Sequence, residues 1–294
     1  MRDVYGRMLR ESAAQGRFLV LPGGRRVHVV EGGTGAPVVH LHGNNTSSLS
    51  HLMLIEHATA VRSYLVDRPG MGLSDPGTFP RSGFRDFAVR FVDEVLDALD
   101  LETAVLAGAS GGGVYGTWYA LEHPQRVRGL VLLGSTPTLP GARLPGPIRL
   151  MATPVLGGFL TRAVKPGRRM LLRMMASVGE ADTITRHPDL LDSLVAGARD
   201  PVAVAANRAE LQALISAVGY RPATRITPQE LGRLSVPTLM IWGDHDPVVP
   251  IEAARAAAQL IPNARLEVLP AGHVPQLGHP KQVANLLTAF AQVR

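Results

Sequence analysis

Five small residues, Gly108-Ala109-Ser110-Gly111-Gly112, stand between an apolar run, Thr103 to Ala107, and a helix-like segment, Val114 to Leu121. A serine on so sharp a strand-to-helix turn has strained backbone angles, and small residues two positions before and after it let the strand and helix approach. The two outer glycines meet this requirement. The stretch therefore predicts that Ser110 is a nucleophile exposed at a sheet edge, with the Gly111 N–H at the helix N-terminus available to stabilise an oxyanion.

The same glycines permit a second interpretation, a dinucleotide-binding turn, because Gly111-Gly112-Gly113-Val114-Tyr115-Gly116 fits G-x-G-x-x-G after a strand. Such a site also needs an acidic residue about twenty positions later, at the end of the next strand, and belongs to the first βαβ unit. Here the next strand ends in Gly134-Ser135-Thr136, in the middle of the chain. Both conditions fail, so we favour the nucleophile. The absence of Gly-Lys-Ser/Thr excludes a nucleotide P-loop.

Composition narrows the classes of protein. The chain has 294 residues, of which 46% are hydrophobic and 18% charged. This length fits one large α/β domain, or one domain with a sizeable insertion. It has no cysteine, which excludes disulfides, thiolate catalysis and cysteine-based metal sites. The net charge of +6 comes from scattered arginines, so we expect no nucleic-acid partner. No apolar stretch is long enough for a membrane helix, and Met1 to Gln15 lacks the apolar core of a secretory signal, so we expect a cytoplasmic protein.

Eight short apolar runs predict strands. They are Phe18 to Leu21, Val27 to Val30, Val38 to Leu41, Ser63 to Val66, Ala104 to Ala107, Leu130 to Leu133, Thr238 to Trp242 and Leu266 to Leu269. The first two lie close together, as antiparallel strands do. Most later runs are separated by segments long enough for a crossover helix, such as Phe84 to Leu99, and are apolar on both faces. The pattern predicts an α/β fold with a mostly parallel sheet covered by helices on both sides.

About a hundred residues between the runs at 130–133 and 238–242 contain no convincing strand. Four prolines, at 137, 140, 145 and 147, open this segment, and Met170 to Met175 forms an apolar helical stretch. We predict a helical cap over residues 137–222 that roofs the carboxyl edge of the sheet, and a core of residues 1–136 and 223–294. Ordinary core helices are the alternative interpretation.

A nucleophilic serine needs a histidine base, which a carboxylate holds. Two loops at the carboxyl ends of strands provide candidates in the order serine, acid, histidine: Gly243-Asp244-His245-Asp246-Pro247, with two possible acids, and Pro270-Ala271-Gly272-His273. The loop His42-Gly43-Asn44-Asn45 follows another strand. We assign the second oxyanion N–H to Asn44, although glycine and asparagine also form simple turns.

Two clusters of polar side chains also permit a metal site. His40 and His42 share one strand face, and Asp244 to Asp246 form a dense polar cluster. However, Gly43 follows immediately, and no matching carboxylate-and-histidine set occurs elsewhere, so we disfavour metal catalysis.

In these features the chain resembles the α/β-hydrolase superfamily over nearly its whole length. Five segments in order carry the likeness: His42-Gly43-Asn44, Asp67-Arg68-Pro69-Gly70-Met71-Gly72-Leu73-Ser74, Gly108 to Gly112, Trp242 to Asp246, and Gly272-His273. The resemblance implies an eight-stranded core, a helical cap after the sixth strand, and a triad of Ser110, Asp246 and His273. Because acyl transfer by such a triad requires no cofactor, we expect none. The family pattern places the acid three residues after Gly243, which favours Asp246 over Asp244. Some members of the family carry the catalytic acid after the sixth strand instead. This chain has Ser135 and Thr136 there, which are not carboxylates, and this also favours Asp246.

The loop His42 to Ser48 is similar to the corresponding loop of haloalkane dehalogenases, in which the asparagine side chain helps to hold a halide. Those enzymes attack with aspartate, whereas an alkylated Ser110 would form a stable ether, so we expect acyl transfer instead. The sequence predicts hydrolysis of an apolar, small-molecule carboxylic ester or lactone through an acyl-enzyme. A cofactor-free carbon–carbon hydrolase, and a non-hydrolytic cyclase or ligand receptor on the same fold, are the alternatives.

Overall fold

A computed structural model describes residues 1–134, 136–144, 146–153, 166–216 and 218–293. Ser135 and Pro145, which entered the sequence predictions, lie outside the described residues. Within the described ranges, no helix has the length and apolar character needed to cross a membrane.

The main sheet has eight strands: β1 Gln15–Val20, β2 Arg26–Gly32, β3 Ala36–Leu41, β4 Val61–Val66, β5 Ala104–Ala109, β6 Val127–Leu133, β9 Thr238–Gly243 and β10 Ala264–Leu269. Across the sheet they lie in the order β1-β2-β4-β3-β5-β6-β9-β10. The pairs β1/β2 and β2/β4 are antiparallel, and the other neighbours are parallel. All eight predicted strands and the mostly parallel sheet are confirmed. The two-residue strands β7 (Ile215–Ser216) and β8 (Gly219–Tyr220), which pair with each other, were not predicted.

Helices connect and cover the strands. Their bounds are α1 Arg2–Arg10, α2 Leu52–His57, α3 Phe84–Ala98, α4 Gly111–Glu122, α5 Gly146–Met151, α6 Arg168–Ser177, α7 Ala181–Arg186, α8 Pro188–Arg199, α9 Pro201–Leu214, α10 Pro228–Gly232, α11 Ile251–Leu260, α12 Pro275–Gly278 and α13 Pro280–Gln292. Short 3-10 helices span Ser48–His51, Pro124–Arg126 and Pro222–Thr224.

Both faces of the sheet are buried, as β5 shows. Leu106 packs in one apolar cluster with α3 and α4, whereas its neighbours Val105 and Ala107 pack in another with Val283 and Leu287 of α13. Successive side chains of a strand point to opposite faces, so continuous apolar runs are what a sheet covered on both sides requires.

The helices α5 to α9 lie between β6 and β9 in the chain, where the helical segment was expected. Leu171, Met175, Leu190 and Leu194 of this stretch form an apolar cluster of their own, together with Leu277 of α12. Helix α9 begins at a clear signal, because the Asp200 side chain accepts hydrogen bonds from the first-turn N–H groups. The division into a cap over 137–222 and a surrounding core stays a prediction.

Candidate active site

The turn between β5 and α4 places Ser110 in an unusual backbone conformation, with φ 50° and ψ −117°. A Cβ atom at Gly108 would overlap the backbone of Gly112, and one at Gly112 would overlap the carbonyl group of Leu41. The need for small residues around the serine therefore has two causes: close approach of strand to helix, and close approach of the helix to the end of β3.

His273 lies between Ser110 and Asp246. Its Nε2 is 3.0 Å from Ser110 Oγ, and its Nδ1 is 3.2 Å from each carboxylate oxygen of Asp246. The Asp246 side chain is fully buried, and Oδ1 also accepts the N–H groups of Val248 and Val249. The imidazole ring is thus held on one side by a fixed carboxylate and on the other faces the serine hydroxyl.

Asp244, the other candidate acid, is exposed and lies two residues earlier in the same loop, directly after β9. Its Oδ1 is 2.6 Å from His245 Nδ1 and accepts the Ala271 N–H at 3.2 Å. Of the two aspartates that the sequence left open before the family pattern was considered, the structure brings Asp246 to His273.

The loop that carries His273 is held by the turn between α6 and α7. The His273 N–H donates to the Val178 carbonyl at 2.9 Å, and the Val274 N–H donates to Glu180 Oε1 at 3.0 Å. Burial raises the pKa of Glu180, while its hydrogen bond from the Val274 N–H acts in the opposite direction. Sequence reasoning missed Glu180, because no local pattern marks a residue whose partner is 94 positions away.

Asn44 and Gly111, the predicted oxyanion donors, lie next to each other. A Cβ atom at Gly111 would overlap Asn44 Oδ1, and one at Gly43 would lie 3.1 Å from the Ser110 Cβ. Neither the Asn44 N–H nor the Gly111 N–H donates to any residue that the structure describes. Both backbone donors are therefore available beside the serine.

The Asn44 side chain has a partner that sequence reasoning did not find. Its Nδ2 donates to Glu210 Oε2 at 2.8 Å, and the other oxygen of Glu210 pairs with Arg68 Nη1. The side chains of Arg68 and Glu210 are fully buried, and the guanidinium lies 5.1 Å from the centre of the Tyr115 ring. Burial raises the pKa of Tyr115 well above its usual value. Arg68 belongs to the segment Asp67 to Ser74, which carries part of the family resemblance, but nothing near Glu210 in the sequence signals its role.

The histidines considered as metal ligands instead support the loop after β3. His42 Nδ1 is 2.8 Å from the Gly43 carbonyl oxygen, its Nε2 accepts the Arg68 N–H, and His40 Nε2 is 3.2 Å from Ser63 Oγ. Burial lowers the pKa of both rings, that of His42 to about 3. In the part of the chain that the structure describes, no three His, Asp or Glu side chains are grouped to hold a metal ion.

An apolar pocket of about 280 Å³ lies between the 45–47 loop and helices α6, α8 and α9. Met174, Leu194 and Leu211 are typical of its lining, which also includes Asn45 and Arg208. Ser110 is not among the described residues that line it, so the pocket adjoins the loop beside the serine rather than the serine itself.

Comparison with known proteins agrees with this architecture. Residues 38–286 match the model of the alpha/beta hydrolase family. A 2-hydroxy-6-oxononadienedioate/2-hydroxy-6-oxononatrienedioate hydrolase of Cupriavidus pinatubonensis is 31% identical over 95% of this chain and 96% of its own length. A pimeloyl-(acyl-carrier protein) methyl ester esterase of Shewanella sp. is 27% identical over 90% and 94%. In structure, the chain is similar to carboxylesterase CesB of Bacillus subtilis, with a TM-score of 0.76, 24% identity and coverage of 98% and 96%.

Proposed function

The chain belongs to the alpha/beta hydrolase family and is a hydrolase on that fold, and on this premise we propose that it cleaves a carboxylic ester or lactone through an acyl-enzyme on Ser110. One observation carries the proposal: His273 bridges the Ser110 hydroxyl, at 3.0 Å, and the buried carboxylate of Asp246, at 3.2 Å. A histidine so held can accept the serine proton.

In the first half of the reaction, His273 Nε2 accepts the proton of Ser110 as Oγ attacks the carbonyl carbon of the substrate. Asp246 accepts a hydrogen bond from Nδ1–H and stabilises the imidazolium that forms. The negative charge on the carbonyl oxygen is stabilised by the N–H groups of Asn44 and Gly111. The tetrahedral intermediate then collapses, His273 protonates the leaving alkoxide, and the alcohol departs.

In the second half, water attacks the acyl-enzyme and gives its proton to His273. The second tetrahedral intermediate releases the acid, and Ser110 regains its proton. One water is consumed for each ester bond broken, and the protein's own groups perform every proton transfer, so the proposal includes no cofactor.

The substrate class follows from the neighbouring pocket. Its lining is mostly aliphatic, with leucine and methionine side chains from α6, α8 and α9. Such a surface binds apolar groups by excluding water from them. We assign it to the apolar acyl or alcohol part of the substrate.

Hydrolysis of a carbon–carbon bond by the same three residues is a second candidate. The chain is 31% identical to a hydrolase named for 2-hydroxy-6-oxononadienedioate. That name describes an oxo compound with two carboxylates and no ester, so its hydrolysis breaks a carbon–carbon bond, which favours this candidate. A dianion needs cationic partners in its site. Among its described residues, the pocket lining contains one arginine, Arg208, and is otherwise mostly aliphatic, which favours a neutral ester over a dianion.

A substrate panel with matched variants tests the proposal. The panel contains p-nitrophenyl esters of increasing acyl length, lactones and vinylogous 1,5-diketones, and a fluorophosphonate probe reports an activated serine. We expect wild-type protein to be labelled once, and Ser110→Ala to fold, escape labelling and lose at least about 10⁴-fold in kcat. Ser235→Ala, which changes an exposed serine away from the site, serves as the control.

Ester hydrolysis that survives in Ser110→Ala would disprove the nucleophile. Turnover of the diketones but of no ester or lactone would instead establish the second candidate.

A further inference from the structure

Two side chains of α9 bind the loop that carries the proposed oxyanion donor. Asn207 Oδ1 accepts the Asn45 N–H at 2.7 Å, and Glu210 Oε2 accepts Asn44 Nδ2 at 2.8 Å. Residues three apart in a helix lie on the same face. One face of α9 therefore holds two consecutive residues of the loop, one through its backbone and one through its side chain.

The two carboxylate oxygens of Glu210 have different partners. The carboxylate is fully buried, and its Oε1 pairs with the equally buried Arg68. A buried carboxylate is tolerated when an opposite charge and hydrogen bonds compensate it. Because Arg68 occupies Oε1, Oε2 is left for the amide of Asn44.

The conformation of the loop adds a second constraint. Asn45 has φ 56°, in the left-handed region that asparagine tolerates better than most residues, and its N–H is fixed by Asn207. The Asn45 N–H and the Asn44 carbonyl belong to one peptide group. The chain is thus held immediately after Asn44, while the Asn44 side chain is held by Glu210.

We propose that Glu210 and Asn207 are positioning residues that hold the Asn44 N–H toward the carbonyl oxygen of a substrate bound at Ser110. The inference rests on the proposed function, because it concerns the oxyanion hole of that reaction. Neither side chain touches the reacting atoms. Since α9 belongs to the helical stretch between β6 and β9, the oxyanion hole is complete only when this helix is docked on the loop.

A positioning role and a purely structural role differ in one measurable way. An oxyanion donor interacts more strongly with the transition state than with the substrate. Displacing it lowers kcat/KM and weakens binding of a trifluoromethyl ketone, which forms a tetrahedral adduct with the serine, by the same factor. A purely structural residue changes the fraction of folded protein but not the activity of each folded molecule.

Two variants disturb the two contacts separately. In Glu210→Gln the side chain keeps one acceptor oxygen, which Arg68 takes, so that the new NH₂ group faces the NH₂ of Asn44. Asn207→Ala removes the acceptor for the Asn45 N–H and leaves the Arg68 to Glu210 pair intact. Gln212→Ala is the matched control, because Gln212 is a buried amide on the same helix whose Oε1 accepts from Arg81.

The experiment measures kcat/KM for a p-nitrophenyl ester, the inhibition constant of the matching trifluoromethyl ketone, and that of an unreactive alkyl ether as a ground-state analogue, all per folded molecule. For Glu210→Gln and Asn207→Ala we expect kcat/KM to fall about tenfold to a hundredfold and ketone affinity to fall in parallel. Ether affinity and the Gln212→Ala control should stay near wild type.

If Glu210→Gln does not fold, because Arg68 has lost its charge partner, Asn207→Ala decides the question alone. Wild-type kcat/KM in the folded variants overturns the proposal, and so does a loss of kcat/KM without a parallel loss of ketone affinity. Ser110→Ala separates failure of the positioning role from failure of the proposed function. If Ser110→Ala is inactive while Glu210→Gln and Asn207→Ala behave as wild type, the positioning role fails and the proposed function stands.

Discussion

Replacing Asp246 by asparagine keeps the shape of the side chain but changes which ring nitrogen of His273 carries the proton. Asp246 Oδ1 accepts the N–H groups of Val248 and Val249, at 2.8 and 3.2 Å, and both oxygens lie 3.2 Å from His273 Nδ1. The two backbone donors require an acceptor, so the asparagine carbonyl oxygen stays with them. The asparagine NH₂ then faces His273 Nδ1 and donates to it.

That reversal determines the expected magnitude. A ring that accepts at Nδ1 carries its proton on Nε2, which then cannot accept the proton of Ser110 at 3.0 Å. The equivalent change in the serine protease triad lowers kcat about 10⁴-fold, which corresponds to a barrier higher by about 5 kcal/mol. We expect a loss of about 10³ to 10⁴ in kcat for Asp246→Asn.

The assay is steady-state hydrolysis of a p-nitrophenyl ester, with circular dichroism and thermal unfolding to verify folding. Asp244→Asn is the matched control, because it makes the same chemical change in the same loop, at the exposed first residue after β9, which pairs with His245. We expect it to keep kcat within about threefold of wild type, as surface substitutions usually do.

Two results would refute this reasoning. The first is an Asp246→Asn variant that folds and keeps more than about a tenth of wild-type kcat. The second is an Asp244→Asn variant that loses as much activity as Asp246→Asn, since the catalytic acid would then not be the residue that contacts His273.

Two further predictions concern the loop beside Ser110 and the buried histidines. In Gly111→Ala the added Cβ overlaps Asn44 Oδ1, so kcat/KM for an ester should fall at least about tenfold. The control is Gly116→Ala on the same helix, whose Cβ would lie 3.2 Å from Leu130 Cδ1 and 3.9 Å from Leu106 Cβ and would not touch Asn44. An equal loss of kcat/KM in both variants would contradict the explanation. Burial lowers the pKa of His51 to about 3. Between that value and its ordinary pKa of about 6.5, the ring is neutral in the folded protein but protonated in the unfolded chain. The free energy of unfolding therefore falls as the pH is lowered from about 6.5 toward 3. One such histidine changes the folding equilibrium constant about tenfold per pH unit below about pH 6, and His51→Leu should abolish that contribution. Urea denaturation at several pH values measures it. A pH dependence equal to that of wild type would count against a neutral, buried His51.

Much of the fold could be predicted because its signals are local. Each strand of the main sheet is a run of apolar residues a few positions long, and each crossover leaves a helical pattern beside it. The paired strands β7 and β8 were missed because two residues are too few to show any periodicity. The boundaries of the proposed cap depend on packing between helices, which hydrophobic pattern alone does not reveal.

The turn around Ser110 was predictable for the same reason, since a strand, a helix and the small residues between them are neighbours in the chain. The contacts of Asn44 were not. Its side chain pairs with a residue 166 positions away, and the Asn45 N–H with one 162 positions away, on a helix whose sequence resembles many others. The similarity to a dehalogenase loop singles out Asn44, but only the docking of α9 shows that its side-chain amide binds Glu210.

The amino-acid sequence by itself determined the α/β layering, the strained turn at Ser110 and the order of serine, acid and histidine along the chain, because these depend on residue type at short spacing. The tertiary structure decided which aspartate contacts His273, which buried carboxylate holds Asn44, and which turn supports the histidine loop. Those contacts join residues far apart in the chain. Their partners depend on how the helices pack on the sheet, so they cannot be predicted from a short stretch of sequence.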